Sequence, residues 1–323
     1  MTTYIIGGSG FIGTYLIKDL KNSGIDVKNI DKTISNRYPE ITSLADIRDV
    51  EEINSKLQPC DWLVLLAAEH ADNVTPVSLY YDVNVNGARN VIDVAEQKGI
   101  NKILFTSTVA VYGLNKANPT EHSPKDPFNH YGKSKHQAEE ILINWYNEKP
   151  QERSLIIIRP TVTFGPGNIG NVYNLLHQIA TNKFMMIGKG NNKKSMSYVE
   201  NVSSFITYCI KNDLKGYNLF NYADKPDLTT NELVAQAEIA LGKKAIPLRI
   251  PYSLGLIGGY CFDILSKITG KKYSISAVRI KKFCATTQFS SIHVEQTGFK
   301  PRFTLNEGLE ITMKSILNGN GKH

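Results

Sequence analysis

Cysteine is scarce, with 4 in 323 residues. Cys60, Cys209, Cys261 and Cys284 stand far apart, with no Cys-x-x-Cys and no Cys/His spacing, so neither a zinc site nor a disulfide framework is expected. Long apolar runs are lacking too. The most lipid-like stretch, Tyr252 to Ile268, contains Asp263, Lys267 and three glycines. It falls short of the about 20 apolar residues of a spanning helix, so a buried helix is expected there, with a membrane-surface helix as the alternative. No charged leader precedes Thr3-Tyr4-Ile5-Ile6, and a cytoplasmic location is expected. Internal repeats and low-complexity tracts are missing. The basic pairs Lys243-Lys244, Lys271-Lys272 and Lys281-Lys282 lack interleaved aromatics, which speaks against nucleic acid.

What is present is an ordinary globular composition, 41% hydrophobic and 21% charged, long enough for one large domain or a domain with an appendage. The net charge of +7 is uneven. Residues 1–160 carry 17 basic and 20 acidic side chains, whereas residues 161–323 carry 20 and 10. An anionic ligand is therefore expected to meet the second half.

Through residue 160, short β-branched runs alternate with helical patterns, the mark of βα units around a parallel sheet. Strands are predicted at Thr3–Ile6, Asp26–Ile30, Trp62–Ala67, Ile103–Ser107 and Leu155–Ile158. Helices are predicted at Phe11–Lys21, Val50–Leu57, Leu79–Lys98 and Ser134–Tyr146. Beyond Pro160, Gly and Pro become frequent, including Pro247, and an α+β appendage is expected. The organisation read from the chain is one domain over 1–160 and a second mainly over 161–323, with some segments returning to the first sheet.

Two motifs carry chemistry. Gly7-Gly8-Ser9-Gly10-Phe11-Ile12-Gly13 follows a strand and opens a helix, where Gly7, Gly10 and Gly13 allow a tight turn and close backbone approach to a pyrophosphate at the helix N-terminus. Asp31 ends the second strand. Its carboxylate suits ribose hydroxyls and would repel a 2′-phosphate, favouring NAD over NADP. In the second motif, Tyr131-Gly132-Lys133-Ser134-Lys135, a phenol and an ammonium four residues apart share a helix face. The ammonium is expected to bring the phenol down from about 10 toward general-base range. The run Phe105 to Gly113 delivers hydroxyls to the carboxyl end of a strand, where such sheets bind ligands.

With these motifs the chain resembles the extended short-chain dehydrogenase/reductases, the NAD-dependent epimerase/dehydratase group that acts on nucleotide sugars. Further landmarks are Ala45-Asp46-Ile47-Arg48-Asp49, Leu66-Ala67-Ala68, Asn84-Val85-Asn86-Gly87, Arg159-Pro160-Thr161, Tyr198-Val199-Glu200-Asn201-Val202, Gly298-Phe299-Lys300-Pro301 and Leu305-Asn306-Glu307-Gly308-Leu309. The resemblance implies an α/β Rossmann-type, doubly wound parallel sheet with a smaller α+β C-terminal substrate domain. It implies Tyr131 as the acid/base, Lys135 as the ribose-holding and tuning residue, and Thr108 as the hydroxyl on the reacting oxygen. Phe11, Ile12, Asp31, Asp46, Ile47, Leu66 and Ala67 would line the NAD site. Asn171 and Lys194 would contact the diphosphate of a nucleotide sugar. Lys194 stands where the family usually has arginine; lysine there keeps the charge and loses the bidentate fork. Val162 stands where many 4-epimerases have Asn, and Asn201 replaces a frequent Asp. A homodimer through helices Leu79–Lys98 and Ser134–Tyr146 is implied by analogy, as is a role in polysaccharide biosynthesis.

Missing residues narrow the chemistry further. The family's dehydratases and decarboxylases carry an acid within two positions of the catalytic hydroxyl, where this chain has Val109 and Ala110. The 3,5-epimerase/reductase branch uses a cysteine, and none lies between Cys60 and Cys209. Hydride transfer at one sugar carbon remains. The leading expectation is an NAD-dependent 4-epimerase of UDP-hexose or UDP-N-acetylhexosamine type, which Asp31 favours. An NAD(P)H-dependent 4-keto-6-deoxysugar reductase or a 3β-hydroxysteroid dehydrogenase-like enzyme is the alternative, favoured by Val162 and the Arg159-Pro160-Thr161 context. A non-catalytic NAD sensor is a third reading, opposed by the intact Thr108/Tyr131/Lys135 set.

Overall fold

A computed structural model describes residues 1–71, 74–114, 116–168, 170–242, 248–271, 273 and 275–319. Lys243, Lys244, Pro247 and Lys272, singled out above, lie outside them. The strands run in chain order β1 Thr2–Ile6, β2 Asp26–Asp31, β3 Thr42–Leu44, β4 Trp62–Leu65, β5 Lys102–Thr106, β6 Ser154–Pro160, β7 Val162–Phe164, β8 Met185–Ile187, β9 Lys193–Tyr198, β10 Tyr217–Tyr222, β11 Asp224–Thr229 and β12 Leu248–Ile250. The helices are α1 Phe11–Asn22, α2 Val50–Lys56, α3 Ser78–Tyr81, α4 Gly87–Gln97, α5 His130–Glu148, α6 Asn171–Ala180, α7 Val199–Lys211, α8 Thr230–Leu241, α9 Tyr252–Thr269, α10 Ala277–Cys284, α11 Ile292–Gln296 and α12 Leu305–Leu317.

The chain divides into two compact units. The first contains residues 1–163, 197–223 and 289–302. Its centre is a seven-stranded sheet in the order β10-β6-β5-β4-β1-β2-β3, parallel throughout. The strand order reverses between β1 and β4, and the carboxyl ends of those two strands mark the crevice where doubly wound sheets place ligands. The strands read as continuous apolar runs because both faces are covered. Ile6, Leu63, Leu65, Ile103, Phe105, Leu155 and Ile157 enter one buried layer, and Ile5, Trp62, Val64, Leu104, Ile156 and Ile158 the other, alternating with the two-residue period of the strand.

The outlines predicted from sequence hold for five strands, with corrections at the edges. The sheet also contains β3 and β10, which the hydrophobic pattern does not mark: β3 is three residues long, and β10 interleaves Asn with its aromatics. Helix Ser134–Tyr146 begins four residues earlier, at His130, because Asn129 caps it by accepting the Gly132 N–H at 2.9 Å. The helix expected over Leu79–Lys98 is split by a π-helical turn, Asp82–Asn86.

The second unit contains residues 164–196, 224–288 and 303–323. In it β9 pairs antiparallel with β11, and β8 pairs parallel with β12. α8 and α12 each open with a complete capping box, Thr229/Glu232 and Thr304/Glu307. The stretch expected to be a buried helix forms α9, but only its Gly255 and Gly259 are buried. Glycines face the unit, Leu256 and Phe262 are half-buried and most of the other large apolar residues face out, the reverse of the expected burial.

Candidate active site

In the first unit, Gly7 closes the β1 turn at φ +93°, and a side chain there would collide with the backbone of Ala67. This close approach is fixed from both sides: Leu66 and Ala67 donate N–H bonds to the Ile6 carbonyl at 2.8 and 2.9 Å. Gly10 is the N-cap of α1 and supplies no side-chain cap, and the first turn of α1 carries no acidic residue. Phe11 and Ile12 are half-buried at that helix start, with Gly13 buried behind them. Asp31 sits at the end of β2, accepting the Ser9 N–H at 2.9 Å and the Thr33 N–H at 3.0 Å. Asp46 grips Arg48 through its side chain at 2.6–3.2 Å, and that guanidinium holds its carboxyl below the usual range. Ile47 is buried against Gly87, its carbonyl accepting from Asn90 at 3.1 Å.

The residues expected to carry the acid/base chemistry are brought together at the start of α5. Thr108 caps the short helical turn Val109–Tyr112, its Oγ1 accepting the Ala110 N–H at 3.1 Å. With its oxygen so occupied, the Thr108 hydroxyl proton is free for Tyr131, the hydrogen bond that acts to lower the phenol's pKa. The approach depends on Gly132, where a Cβ would lie 2.7 Å from the Ala110 oxygen. Only glycine lets the first turn of α5 pack so closely on the Thr108 segment.

Lys135 is one turn further along and 1% exposed. Its ammonium lies 4.0 Å over the Phe105 ring and makes no hydrogen bond within the described residues. Burial lowers its pKa to about 7, with Glu139 opposing. Glu139 offers little because it is already spent on Arg159, with bonds of 2.8 and 2.5 Å. Tyr131 is pushed up to about 12 by burial. Desolvation outweighs every other effect on the phenol, and the hydrogen bond that acts to lower it comes from Thr108.

Sequence reasoning named Asn84 only as a landmark. Its buried side chain accepts the Glu69 N–H at 2.8 Å and donates to the Glu69 carbonyl at 3.0 Å and to Ser134 Oγ at 2.8 Å. Ser134 in turn donates to the Tyr131 carbonyl at 3.0 Å. The chain segment after β4 is thereby tied to the turn of α5 that carries Tyr131 and Lys135. A π turn puts one extra residue into the helix, which aims Asn84 inward.

These residues fit NAD on three counts: an uncapped, acid-free helix start behind a glycine turn, a carboxylate at the end of β2, and a buried ammonium without a hydrogen-bond partner among the described residues, which ribose hydroxyls could supply.

Asn171 and Lys194 belong to the second unit. Asn171 is the exposed first residue of α6. The Lys194 ammonium donates to the carbonyls of Lys282 at 2.9 Å and Ala285 at 2.5 Å, and burial lowers its pKa to about 8. Val162 is exposed, whereas Asn201 is fully buried in α7.

The chain is 58% identical over 310 residues to the N-acetyl-alpha-D-glucosaminyl-diphospho-ditrans,octacis-undecaprenol 4-epimerase of Escherichia coli O157:H7, covering 96% of this chain and 93% of that protein. It is 27% identical to the UDP-glucose 4-epimerase of Vibrio cholerae over 98% and 96% of the two chains. Among solved structures, the Thermus thermophilus UDP-glucose 4-epimerase in complex with NAD superposes with a TM-score of 0.75 at 20% identity, over 98% of this chain and 99% of that one, a likeness of fold. Residues 3–222 match the family model described as the NAD dependent epimerase/dehydratase family. The chain belongs to that family and is an NAD-dependent enzyme of the extended short-chain dehydrogenase/reductase type.

Proposed function

We propose that this enzyme inverts the configuration at C4 of a sugar carried on a diphosphate, the nucleotide-sugar 4-epimerase reaction in its N-acetylhexosamine form. The observation that carries the proposal is the 58% identity over 96% of the chain to a protein named as a 4-epimerase. The Thr108–Tyr131–Lys135 arrangement supports it.

Gly7, Gly10 and Gly13 and the start of α1 would hold the pyrophosphate of NAD, Asp31 the adenosine ribose, and Lys135 the other ribose. Phe11, Ile12, Asp46, Ile47, Leu66 and Ala67 would line the rest of that site. NAD supplies reversible hydride acceptance at C4. Tyr131 takes the proton of the C4 hydroxyl and later returns it, and Thr108 orients the phenol and the reacting oxygen. Burial raises the phenol, which makes it a weaker base at neutral pH, and a charged Lys135 beside it would favour the phenolate. Hydrogen bonds from its ammonium to ribose hydroxyls would restore that charge and draw the phenol down. Val109 and Ala110 leave the site without the acid that elimination requires.

On the substrate side, Asn171 and Lys194 are proposed to contact the diphosphate. Two of the three Lys194 donors are engaged, which leaves one for an anion. The carrier has a second reading. The 58% identical relative is named for an undecaprenol-linked sugar, and that identity favours a polyprenyl carrier over a nucleoside. A cytoplasmic homodimer formed through α4 and α5 completes the proposal.

Incubation with UDP-N-acetylglucosamine and, separately, with polyprenyl-diphospho-N-acetylglucosamine, followed by NMR of the products, tests both parts. The galacto epimer without net cofactor reduction is expected from at least one carrier. Stoichiometric NAD(P)H oxidation by a 4-keto sugar, with no epimer from either carrier, would point to the reductase.

A further inference from the structure

α9 is 18 residues long, and its sides are used in an unusual way. Gly255 and Gly259 face the unit, where a Cβ on Gly259 would lie 2.8 Å from the Ala277 backbone. The helix therefore packs on α10 through Gly259 and on Ile187 of β8 through Gly255. Leu256 and Phe262 are half-buried, but four other large apolar residues point away: Leu254 is 59% exposed, Ile257 59%, Ile264 58% and Ile268 77%. With exposed Cys261 they follow a spacing of three, four, three and four residues, a single stripe along a helix of 3.6 residues per turn. Exposed Leu265 and Tyr260 widen it.

Charge distinguishes this stripe from a bare apolar face. Between Pro251 and Cys284 the sequence holds six Lys/Arg against a single carboxylate, Asp263. That carboxylate is occupied by the Ala277 N–H at 3.1 Å, at the start of α10. Lys281 of α10 donates to the Tyr260 hydroxyl at 3.0 Å and lies 5.4 Å from its ring centroid, which sets a cation beside the stripe. Lys267 and Lys271 are exposed at the C-terminal end of α9, and Val278 adds an exposed apolar side chain on α10. Apolar residues rimmed by an excess of cations, six against one carboxylate in this segment, are what an interfacial helix presents to anionic headgroups. No helix among the described residues is long and apolar enough to cross a membrane.

We propose that the exposed stripe of α9, with the basic flank of α10, docks this enzyme onto the surface of an anionic phospholipid bilayer, where α9 lies in the interface. The proposal rests on these two helices and is independent of the carrier of the sugar.

Flotation of the full chain with phosphatidylcholine vesicles, and with vesicles containing about a third phosphatidylglycerol, tests it. Binding at least about tenfold greater to the anionic vesicles is expected, falling toward the phosphatidylcholine level at about 0.5 M salt. The double variant Ile257→Glu/Ile264→Glu should lose this binding. Its thermal midpoint should stay unchanged, since both side chains are solvent-facing, which separates loss of docking from loss of fold. An environment-sensitive fluorophore on Cys261 should shift to the blue on anionic vesicles in the parent chain. Equal binding to both vesicle types, or no loss in the double variant, would overturn the proposal. So would a Cys261 probe that responds to protein concentration and ignores lipid, the behaviour of a second copy covering the stripe.

Discussion

Tyr131 and Lys135 pose the same physical problem from opposite signs. Each is buried where its charged form is disfavoured, so the cofactor-free site stores a neutral phenol and a weakened ammonium. Tyr131→Phe removes the proton acceptor while keeping ring volume. Its kcat should fall by about 10²- to 10⁴-fold with NAD binding intact, and unchanged turnover would contradict the acid/base role. For Lys135, burial lowers the pKa from 10.5 to about 7. The unfolded chain therefore binds more protons between those values, and the stability of cofactor-free enzyme should rise with pH across that window. Thermal midpoints measured at steps from pH 7 to 10 should show this slope in the wild type and a flatter profile in Lys135→Met. An identical slope in both would assign it to other groups. Asp31→Ala should weaken NAD more than NADP by isothermal titration; an unchanged ratio would remove the carboxylate's part in cofactor choice.

Among the elements, the start of α5 matters most, because it presents both residues at once. Three contacts fix it: the Asn129 cap, the close passage of Gly132 beneath Ala110, and the Asn84 bridge from Glu69 to Ser134. Gly132→Ala forces the helix off Thr108. A loss of about 1–3 kcal/mol in denaturant melts is expected. A drop in kcat larger than any change in KM should accompany it, and a variant with wild-type kcat would show that the close packing does not position Tyr131. The tyrosine–lysine spacing and the strand before it are readable because they obey helix and strand periods. The Asn129 cap is equally readable, as an Asn ahead of a helical pattern. Asn84 is not, since a π turn leaves no mark in hydrophobic periodicity. Nor is the outward face of α9: an apolar, glycine-bearing run reads as buried until its packing partners are known.

For the whole molecule, a division of the sequence at residue 160 differs from the compact units. The sheet takes β10 from beyond that point, and Phe299 packs against Phe205, Tyr208 and Tyr222 in the same unit. Residues 1–160 alone would leave β6 as a bare apolar edge. That fragment should show no cooperative thermal transition by circular dichroism, and a two-state melt would contradict the account. The charge asymmetry also takes on a different meaning. It suggested a diphosphate site, yet Lys194 is largely tied to carbonyl oxygens, while the segment from Pro251 to Cys284 carries six cations against one carboxylate beside an exposed apolar stripe. The basic excess of the second half is thus concentrated beside an exposed apolar stripe as well as near Lys194.

The central claim is that C4 is inverted by removal and return of a hydride, with Tyr131 handling only the hydroxyl proton. Epimerisation of a substrate deuterated at C4, run in ordinary water and followed by mass spectrometry and NMR, tests it most directly. The account expects the epimeric product to keep its deuterium at C4. Loss of the label to solvent would contradict it.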